Sequence, residues 1–367
     1  MASSTTFTPQ TFSKLSPHPF LLANLQPPTN APPSAKPTRT NGRAPHQARP
    51  VHINASSLSH AHGSAMVRMG DTSVICGVRG EVLPASSVPQ WRAPKSQAEL
   101  EAELEAELGE EGEEERARQQ QLWREEGARE LRDYDLLVPN IELATGCAPQ
   151  FLPGVPPTTL AQTLSTRVYS LLHSSGVLGV DDLRIWHTPP KLDGGDEKME
   201  GAEEEEEEDV ALKPEVKAYW TLYIDVLFIS FDGNPFDAAW VAILAALRDT
   251  KLPKAWWDAD REMVLCSRSE TRQLSVSGLP IACTAAVLNE KETDAAGQGK
   301  SWALVDPDRL EEGLCEESIT VVVDKSEGET RIRGISKTGG RVLGPKEIRE
   351  MSQMAERRWT EFQEVLT

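Results

Sequence analysis

The fold of this chain is decided by the stretch Tyr223-Ile-Asp-Val-Leu-Phe-Ile-Ser-Phe-Asp-Gly-Asn-Pro-Phe-Asp-Ala-Ala-Trp-Val-Ala-Ile-Leu-Ala-Ala-Leu247. Its first part is apolar and rich in β-branched and aromatic residues, which predicts a strand over residues 222–231. The sequence Asp232-Gly233-Asn234 then predicts a tight turn. Pro235 is suited to the first position of a helix, with Asn234 as its N-cap. Because this helix is apolar on almost every side, we expect it to be buried between two layers.

The turn between this strand and this helix allows two interpretations. A glycine-containing turn before a helix points backbone N–H groups toward a bound anion, which would make it a phosphate site. The same turn also occurs where it only begins a well-capped core helix, and a single glycine is a weak motif. On these residues alone the core helix is favoured.

The acidic balance of the chain is confined to two segments. The formal charge is −19 over 367 residues. Residues 97–133 carry 14 acidic and 5 basic side chains, and residues 192–209 carry 11 acidic and 1 basic, so these segments account for the whole net charge. Dense like charges repel each other in a compact fold, which predicts two solvated acidic insertions. The formally neutral remainder neither excludes nor favours contact with nucleic acid.

The first 42 residues are predicted to form a disordered tail. They are rich in proline, serine and threonine, and no acidic residue occurs before Asp71. That composition overlaps with organellar transit peptides, but the many prolines oppose the amphipathic helix that such peptides form. Delivery to an organelle is therefore kept as an alternative.

The cysteines and the lengths of the apolar runs argue against a metal-binding protein and against a membrane protein. The five cysteines are far apart and form no Cys-x-x-Cys pair and no cluster with histidine. This indicates structural thiols in a reducing compartment, with no metal site and no cofactor. No apolar run approaches the ~20 residues that a membrane span needs, so we expect no membrane contact.

The remaining sequence divides into two halves. Short β-branched strands separated by glycine turns follow residue 49, and a helix is predicted over residues 158–173. Five more strands follow the central helix, and a last helix begins at Pro345. Antiparallel groups of strands with a few helices indicate an α+β fold. We predict residues 43–210 as the first half and residues 211–367 as the second.

Three segments together resemble the RNase PH family. They are residues 49–78, which contain Gly63-Ser-Ala65, residues 140–154, and Asp232-Gly-Asn-Pro-Phe-Asp-Ala-Ala239 with the later Val305-Asp-Pro307. The resemblance covers about residues 43–367 without the acidic insertions. It implies the RNase PH-type fold, in which two α+β halves pack mixed and antiparallel sheets on helices. It also implies assembly into a six-membered ring around an RNA channel.

The resemblance points to the non-catalytic members of the family in the ring of the eukaryotic RNA exosome. It implies a structural subunit that supports 3′–5′ RNA processing and decay, including ribosomal RNA processing. The implied partners are the other RNase PH-like ring subunits, the cap subunits, and RNA in the assembled channel. The implied location is the nucleus, with the nucleolus, and the cytoplasm.

The turn before the central helix departs from the active members of the family. Those members hold phosphate with a Gly-Gly-Thr-Arg-type sequence, whereas this chain has Asn234, Pro235, Phe236 and Asp237 there. Pro235 removes a backbone donor, Phe236 offers none, and Asp237 would repel an anion. We therefore predict a degenerate phosphate site and no catalytic residues. The alternative, an active phosphate-dependent 3′–5′ exoribonuclease, would need a basic residue supplied from elsewhere in space.

Active members also carry two acidic residues later in the chain. Asp306 matches the first, and the second is left open between Asp308, Glu311 and Glu312. Acidic side chains are seldom fully buried, so by themselves these four are more simply interpreted as solvated carboxylates of a turn.

Two arginines are candidate RNA contacts. Arg68 lies on a predicted strand and Arg79 at a strand end, where a guanidinium could reach RNA phosphates in a channel. Surface arginines without such a role are more common, so the assignment rests on the family resemblance.

Overall fold

The computed structural model of the chain describes residues 8–26, 36–94, 113–189, 214–290, 301–339 and 344–366. Within these ranges the strands form two sheets and a separate hairpin. The first sheet has six strands, whose bounds are β1 (Val51–Ala55), β2 (Gly63–Met69), β3 (Thr72–Pro84), β4 (Leu137–Leu143), β5 (Arg184–His187) and β6 (Glu215–Ser230).

The long strand β6 organises the first sheet. The strand order is β1-β2-β3-β6-β4, and β5 also pairs with β6. β4 runs parallel to β6, and the other pairs are antiparallel. The register places Val78 opposite Ile224 and Ala65 opposite Cys76, so that these side chains share the buried face.

The second sheet follows a two-stranded hairpin. The hairpin consists of β7 (Lys251–Asp258) and β8 (Met263–Gln273). The sheet consists of β9 (Ile281–Asn289), β10 (Ser301–Val305), β11 (Glu317–Asp324) and β12 (Arg331–Thr338). Its order is β10-β9-β11-β12, and all pairs are antiparallel. β12 is therefore an edge strand.

Seven α-helices lie in the described residues. They are α1 (Pro9–Leu15), α2 (Pro17–Leu25), α3 (Glu113–Asp133), α4 (Thr159–Ser174), α5 (Pro235–Asp249), α6 (Arg309–Leu314) and α7 (Pro345–Leu366). The predicted α+β class is confirmed. The predicted strand-turn-helix unit is observed as β6 and α5, and the predicted final helix as α7.

The central helix α5 lies between the two sheets, as its all-round apolar sequence predicts. Every residue from Pro235 to Leu247 is buried. The helix packs on β2 and β3 of the first sheet and on β9 of the second. Trp240 donates its indole N–H to the carbonyl of Pro280 at 2.6 Å, so even its polar atom is satisfied. Each large apolar side chain buried in this way stabilises the fold by roughly 1.5–3 kcal/mol.

The prediction of a disordered tail over residues 1–42 is wrong for residues 8–26 and 36–42. Residues 9–25 form α1 and α2, and Leu21 and Leu25 are buried against the second sheet. Two of the prolines begin these helices, at Pro9 and Pro17. Proline is tolerated in the first turn of a helix because its missing N–H would have no partner there. The proline content was therefore compatible with helices.

The predicted acidic insertions are only partly described. Residues 95–112 and the whole of 192–209 lie outside the described residues. Residues 113–133 form α3, whose last turns pack on the core: Leu131 is buried, and Gly127 lies against Val180. Residues 127–133 are therefore not a solvated insertion, since Glu130 also pairs with the buried Arg184, whereas Leu122 earlier in the helix is 58% exposed.

The predicted boundary between residues 210 and 211 divides the first sheet. β6 begins at Glu215 and is hydrogen-bonded to β3 and β4 of the first half. The first half therefore extends through β6. Sequence order placed the strand with the helix that follows it, whereas pairing across the sheet determines the unit to which it belongs.

Candidate functional site

The turn that leads into α5 packs tightly against residues 306–309. Gly233 has φ +78°, and a Cβ atom at this position would lie 2.5 Å from the carbonyl carbon of Asp308. Glycine is therefore required here for both its backbone conformation and its size. Asn234 and Asp306 also adopt left-handed conformations, with φ 48° and 53°. Such residues persist only where the surroundings hold them.

Asn234 occupies the N-cap position, but its side chain does not cap the helix. Its Nδ2 instead donates to Oδ2 of Asp237 at 2.9 Å and to Oδ1 of Asp306 at 2.8 Å. The prediction of Asn234 as the N-cap residue is therefore confirmed in position, although its side chain does not cap the helix. The amide connects two carboxylates that would otherwise repel each other.

Asp237 is buried, and its carboxylate is fully used inside the protein. Thr284 donates to it from the backbone N at 2.9 Å and from Oγ1 at 2.7 Å. Burial raises the pKa of Asp237, and the hydrogen bonds from Thr284 and Asn234 oppose that rise. The carboxylate that was predicted to repel a phosphate therefore faces protein donors.

Asp306 is buried as well, so its interpretation as a solvated turn residue is wrong. Only 1% of it is exposed. Arg49 donates to it from the backbone N at 2.8 Å, from Nε at 2.8 Å and from Nη2 at 2.7 Å. Burial alone would raise the pKa of Asp306, but the bonds from Arg49 outweigh it and hold the pKa at about 2. Asp306 is therefore a permanent anion in an internal ion pair.

Two further arginines reach Asp306 and Glu311 from the segment before residue 49. Arg39 is 2% exposed and lies 3.6 Å from the carboxylate of Glu311. Burial lowers the pKa of Arg39 to about 10, against the opposing charge of Glu311. Arg43 donates from Nη1 to the carbonyl of Asp306 at 3.0 Å. Neither arginine was predicted as a partner of these acids; the available signal was two arginines close together in an acid-free stretch.

The three acids left open as the second family position have different roles. Asp308 and Glu311 form the capping box of α6, in which each side chain accepts from the backbone N of the other. Glu312 accepts from the backbone N of Asn234 at 2.7 Å. Burial raises the pKa of Glu312 to about 7, although the bond from Asn234 opposes the rise. Glu312 is thus the acid that contacts the turn.

We call Arg49, Asn234, Asp237, Asp306 and Glu312 the Asp306 cluster. The N–H of Asn234, one of the backbone donors that a phosphate at the turn could use, is bonded to Glu312. The other two carboxylates accept from arginine, asparagine and threonine donors. Across the described ranges, no group of three or more His, Cys, Asp or Glu side chains is arranged to hold a metal ion. An anion that approached the turn would therefore find the N–H of Asn234 already bonded to the carboxylate of Glu312.

A basic side chain does lie beside the degenerate turn. The guanidinium of Arg167, on α4, stacks 4.0 Å above the ring centroid of Phe236. Its Nη2 donates to Oγ1 of Thr320 on β11 at 2.8 Å. The sequence analysis did not identify Arg167, because its position depends on how α4 packs beside α5.

Arg68 and Arg79 are exposed and lie on the first sheet. Arg68 donates from Nε to the carbonyl of Gly70 at 2.9 Å. Arg79 pairs with Glu81 at 2.8 Å. Both guanidiniums are accessible to a ligand, and their role as RNA contacts stays a prediction.

Models of the 3′ exoribonuclease family match most of the chain. The model of domain 1, RNase PH, matches residues 47–131 and 122–253, and that of domain 2 matches residues 278–358. The chain belongs to the RNase PH family. Domain 1 of the family thus includes β6 and α5, in agreement with the pairing of β6 in the first sheet.

Relatives with known names extend the family match along the chain. The exosome complex component rrp43 of Schizosaccharomyces pombe is 27% identical over 350 residues, which cover 95% of this chain and 94% of that protein. The exosome complex component Rrp42 of Methanopyrus kandleri is 27% identical over 289 residues, which cover 78% of this chain and 76% of that protein. The match to rrp43 thus runs along nearly the full length of both proteins.

Solved structures show the same RNase PH fold. A chain of the Archaeoglobus fulgidus exosome with RNA bound to the active site aligns with a TM-score of 0.59 and 22% identity, covering 95% of this chain and 97% of that one. A chain of an archaeal exosome core aligns with a TM-score of 0.53 and 20% identity, covering 89% of this chain and 91% of that one.

Among the described helices, none is both long and apolar enough to cross a membrane.

Proposed function

We propose that this chain is a non-catalytic, structural subunit of an RNA exosome core ring that supports 3′–5′ RNA processing and decay. Its partners in this proposal are the other RNase PH-like ring subunits, the cap subunits, and RNA in the assembled channel. The full-length similarity to the exosome component rrp43 and the fold shared with archaeal exosome chains support the proposal. The names of these proteins concern the assembly. The Asp306 cluster concerns a different question, namely whether the chain can catalyse phosphorolysis.

One observation supports the absence of catalysis in this proposal: both carboxylate oxygens of Asp306 already accept hydrogen bonds from the protein. Its Oδ1 accepts from Arg49 and Asn234, and its Oδ2 accepts from the backbone N and Nε of Arg49. A carboxylate that assists phosphoryl transfer must reach a metal ion, a proton or the reacting phosphate. With a further bond from Nη1 of Arg43 to Oδ2, a buried carboxylate with five donors and a pKa near 2 has no such freedom. Its role is to stabilise the turn.

The turn itself supports the same conclusion. Phosphorolysis needs donors and a cation positioned around the attacking phosphate. Here one backbone donor is bonded to Glu312, and none of Asn234, Pro235, Phe236 and Asp237 is the arginine of the family sequence. Arg167 supplies a cation nearby, but it is stacked on Phe236 and bonded to Thr320. A cation already engaged in this way, beside an Asp306 saturated by Arg49 and Asn234, does not complete the catalytic set.

A phosphorolysis assay on the full-length chain tests the proposed absence of catalysis. The purified chain is incubated with a 5′-labelled oligoribonucleotide and inorganic phosphate, and nucleoside diphosphates are measured. We expect no phosphate-dependent release. The proposal fails if release occurs and disappears in Glu312→Gln while the melting temperature of the variant is no lower than that of the wild type, because that result would assign chemistry to the turn.

Co-purification tests the structural role. The tagged chain is isolated from cells, and its partners are identified by mass spectrometry. We expect RNase PH-like subunits in amounts equal to the chain itself. Recovery of a folded chain without any RNase PH-like partner would exclude the ring assignment, whatever the result of the phosphorolysis assay.

The proposal includes a location in the nucleus, with the nucleolus, and in the cytoplasm. A fluorescent fusion of the full chain tests it directly. Residues 1–48 fused to the same reporter serve as the control for organellar delivery. Accumulation of this second fusion in mitochondria would favour an organellar RNA-handling protein instead.

A further inference from the structure

A cleft of about 190 Å³ opens beside the N-terminus of α5, between α4 and the edge strand β12. Its apolar lining includes Phe236 and Val322. Its polar lining consists of two guanidiniums, from Arg167 and Arg333, and hydroxyls from three serines and a threonine. Among the described residues, no acidic side chain lines it. We call it the Arg167–Arg333 cleft.

Arg167 is held in a fixed orientation at one wall. Its guanidinium lies on the ring of Phe236 and donates to Thr320. Oγ1 of Thr320 lies 2.9 Å from Oγ1 of Thr284, which in turn donates to Asp237 at 2.7 Å. Because Thr284 has one hydroxyl proton and gives it to Asp237, Thr320 must donate to Thr284 and accept from Arg167. This chain of bonds uses one donor of Arg167, and a guanidinium has five.

The charge of Arg167 has no ion-pair partner within 4.0 Å in the described part of the chain. The carboxylate of Asp237 acts on it only through the two threonines and through space. Burial lowers the pKa of Arg167, with Asp237 opposing that change. The side chain is thus a desolvated, oriented cation, and an oxyanion bound in the cleft would accept its remaining donors in a bidentate pair.

Arg333 supplies the second cation at the opposite wall. Its Nη2 lies 3.5 Å from Oδ2 of Asp324, which is a weak contact. The other oxygen of Asp324 accepts from Ser326 and from the backbone N of Leu279. The buried Nε of Arg333 has no hydrogen-bond partner within the described residues. Asp324 therefore compensates Arg333 only in part, and its guanidinium retains donors.

We propose that the Arg167–Arg333 cleft binds a phosphate-type oxyanion, either free phosphate or a phosphate group of RNA, and does not cleave it. Two guanidiniums and several hydroxyls match the acceptors of such a group, and no lining carboxylate opposes its charge. The proposal goes beyond the structural role given above and does not depend on ring assembly. Phe236 of the degenerate turn lines the cleft, but the donors come from α4, β11 and β12 and not from the turn.

Calorimetric titration of the full-length chain with inorganic phosphate tests the proposal. A short single-stranded oligouridylate is titrated separately, and both probes are measured at low and at high salt. We expect Arg167→Gln and Arg333→Gln each to weaken binding by about tenfold or more, because each removes charged hydrogen bonds. We expect high salt to weaken binding as well.

Arg331→Gln is the matched control. Arg331 lies two residues from Arg333 on the same strand, is exposed, and pairs with Glu327 at 2.6 Å. It carries the same charge outside the cleft, so its replacement should leave both affinities unchanged. Melting temperatures are measured for every variant. Arg333 is only partly buried, so Arg333→Gln keeps the test valid if Arg167→Gln fails to fold.

The two probes distinguish the source of the phosphate. Competition between phosphate and oligouridylate, with loss of both in the cleft variants, identifies an RNA phosphate as the ligand. Phosphate binding that depends on the cleft while oligouridylate binding does not identifies free phosphate. The proposal is overturned if the wild-type chain binds neither probe or if the cleft variants bind both as well as Arg331→Gln does. It is equally overturned if those variants lose only a co-purifying subunit, since the cleft would then be a protein contact.

Discussion

The Asp306 cluster and the Arg167–Arg333 cleft both lie beside the N-terminus of α5. They differ in whether their charged side chains are paired within the protein. In the cluster the buried anions are satisfied by the chain's own donors, above all by Arg49. In the cleft two half-buried cations retain hydrogen-bond donors, and no acid lies among the lining residues of the described chain. An unpaired charge in the interior costs many kcal/mol, so buried ions must be paired within the fold. A partly exposed cation has no such requirement, and charge left free at the surface can bind a ligand.

The two regions also differ in how far the sequence points to them. Asp306 and Glu312 were candidates for the two acidic positions of active family members, and in the structure both contact Asn234 of the turn. Residues that look unremarkable in the sequence, such as Arg167 and Arg333, converge on an open cleft. The predictions below test each side of this contrast, beginning with the helix that supports both.

The largest effect is expected from Ile243→Asp, which removes the support of both regions. Ile243 is fully buried in α5 between the two sheets. An unpaired carboxylate there costs several kcal/mol, comparable to the whole stability of a domain. We expect an insoluble chain that is missing from any assembled ring, as measured by soluble yield and co-purification. Leu160→Asp, at an exposed position in the first turn of α4, should be soluble; equal behaviour of the two variants would contradict the sandwiched position of α5.

The second prediction breaks the cluster and leaves the cleft intact. Arg49→Met leaves Asp306 as a buried anion without its main partner, which should lower the free energy of unfolding by about 3–5 kcal/mol. Chemical denaturation measures the loss. Adding Asp306→Asn should recover part of it, because the uncompensated charge is then removed. Arg331→Met is the control, with a change within about 0.5 kcal/mol. A loss below 1 kcal/mol in Arg49→Met would mean that the cluster does not stabilise the turn.

The third prediction concerns Glu312, whose carboxylate contacts the turn. Folded Glu312 keeps its proton up to about pH 7, whereas the ordinary pKa is 4.5. Between these values the folded state binds the additional proton, so this group makes the free energy of unfolding fall as the pH rises from about 5 to 7. Glu312→Gln removes that titration. It should be more stable than the wild type above pH 7, by an amount on the order of 1–3 kcal/mol, and equally stable near pH 4.5.

Denaturation at several pH values from 4.5 to 8 checks this prediction. Asp306 does not interfere, because its pKa is lowered to about 2 and its stabilisation is lost only as the pH falls below about 4. A constant difference between Glu312→Gln and the wild type over the whole range would mean that Glu312 does not titrate there.

The smallest effects are expected at Arg68 and Arg79, which belong to neither region. Both are exposed, so Arg68→Ala and Arg79→Ala should change the free energy of unfolding by no more than about 0.5 kcal/mol. If they contact RNA in a channel, each should weaken RNA binding by the assembled complex for all sequences alike and lower its salt slope by roughly one. Unchanged binding and an unchanged slope in both variants would remove them as RNA contacts.

Much of the fold was predictable because it depends on local pattern. The apolar alternation before Asp232 and the all-round apolar run after Pro235 predict β6 and a buried α5 without any knowledge of their neighbours. The tail was mispredicted for the opposite reason. Whether residues 9–25 are ordered depends on the apolar surface of the second sheet that receives Leu21 and Leu25, and that surface is formed by strands far away in the chain.

Local sequence was enough to establish the strand-turn-helix unit, the loss of the family's threonine and arginine at the turn, and the concentration of acidic charge in two segments. The roles of the charged residues depend on long-range packing. Arg49 and Asp306 are 257 positions apart, and Arg167 and Thr320 are 153 apart. Such pairs are chosen by how sheets and helices pack, and not by any local spacing. Burial then decides the outcome, because an interior charge must find its partner within the chain while a surface charge can remain available to a ligand.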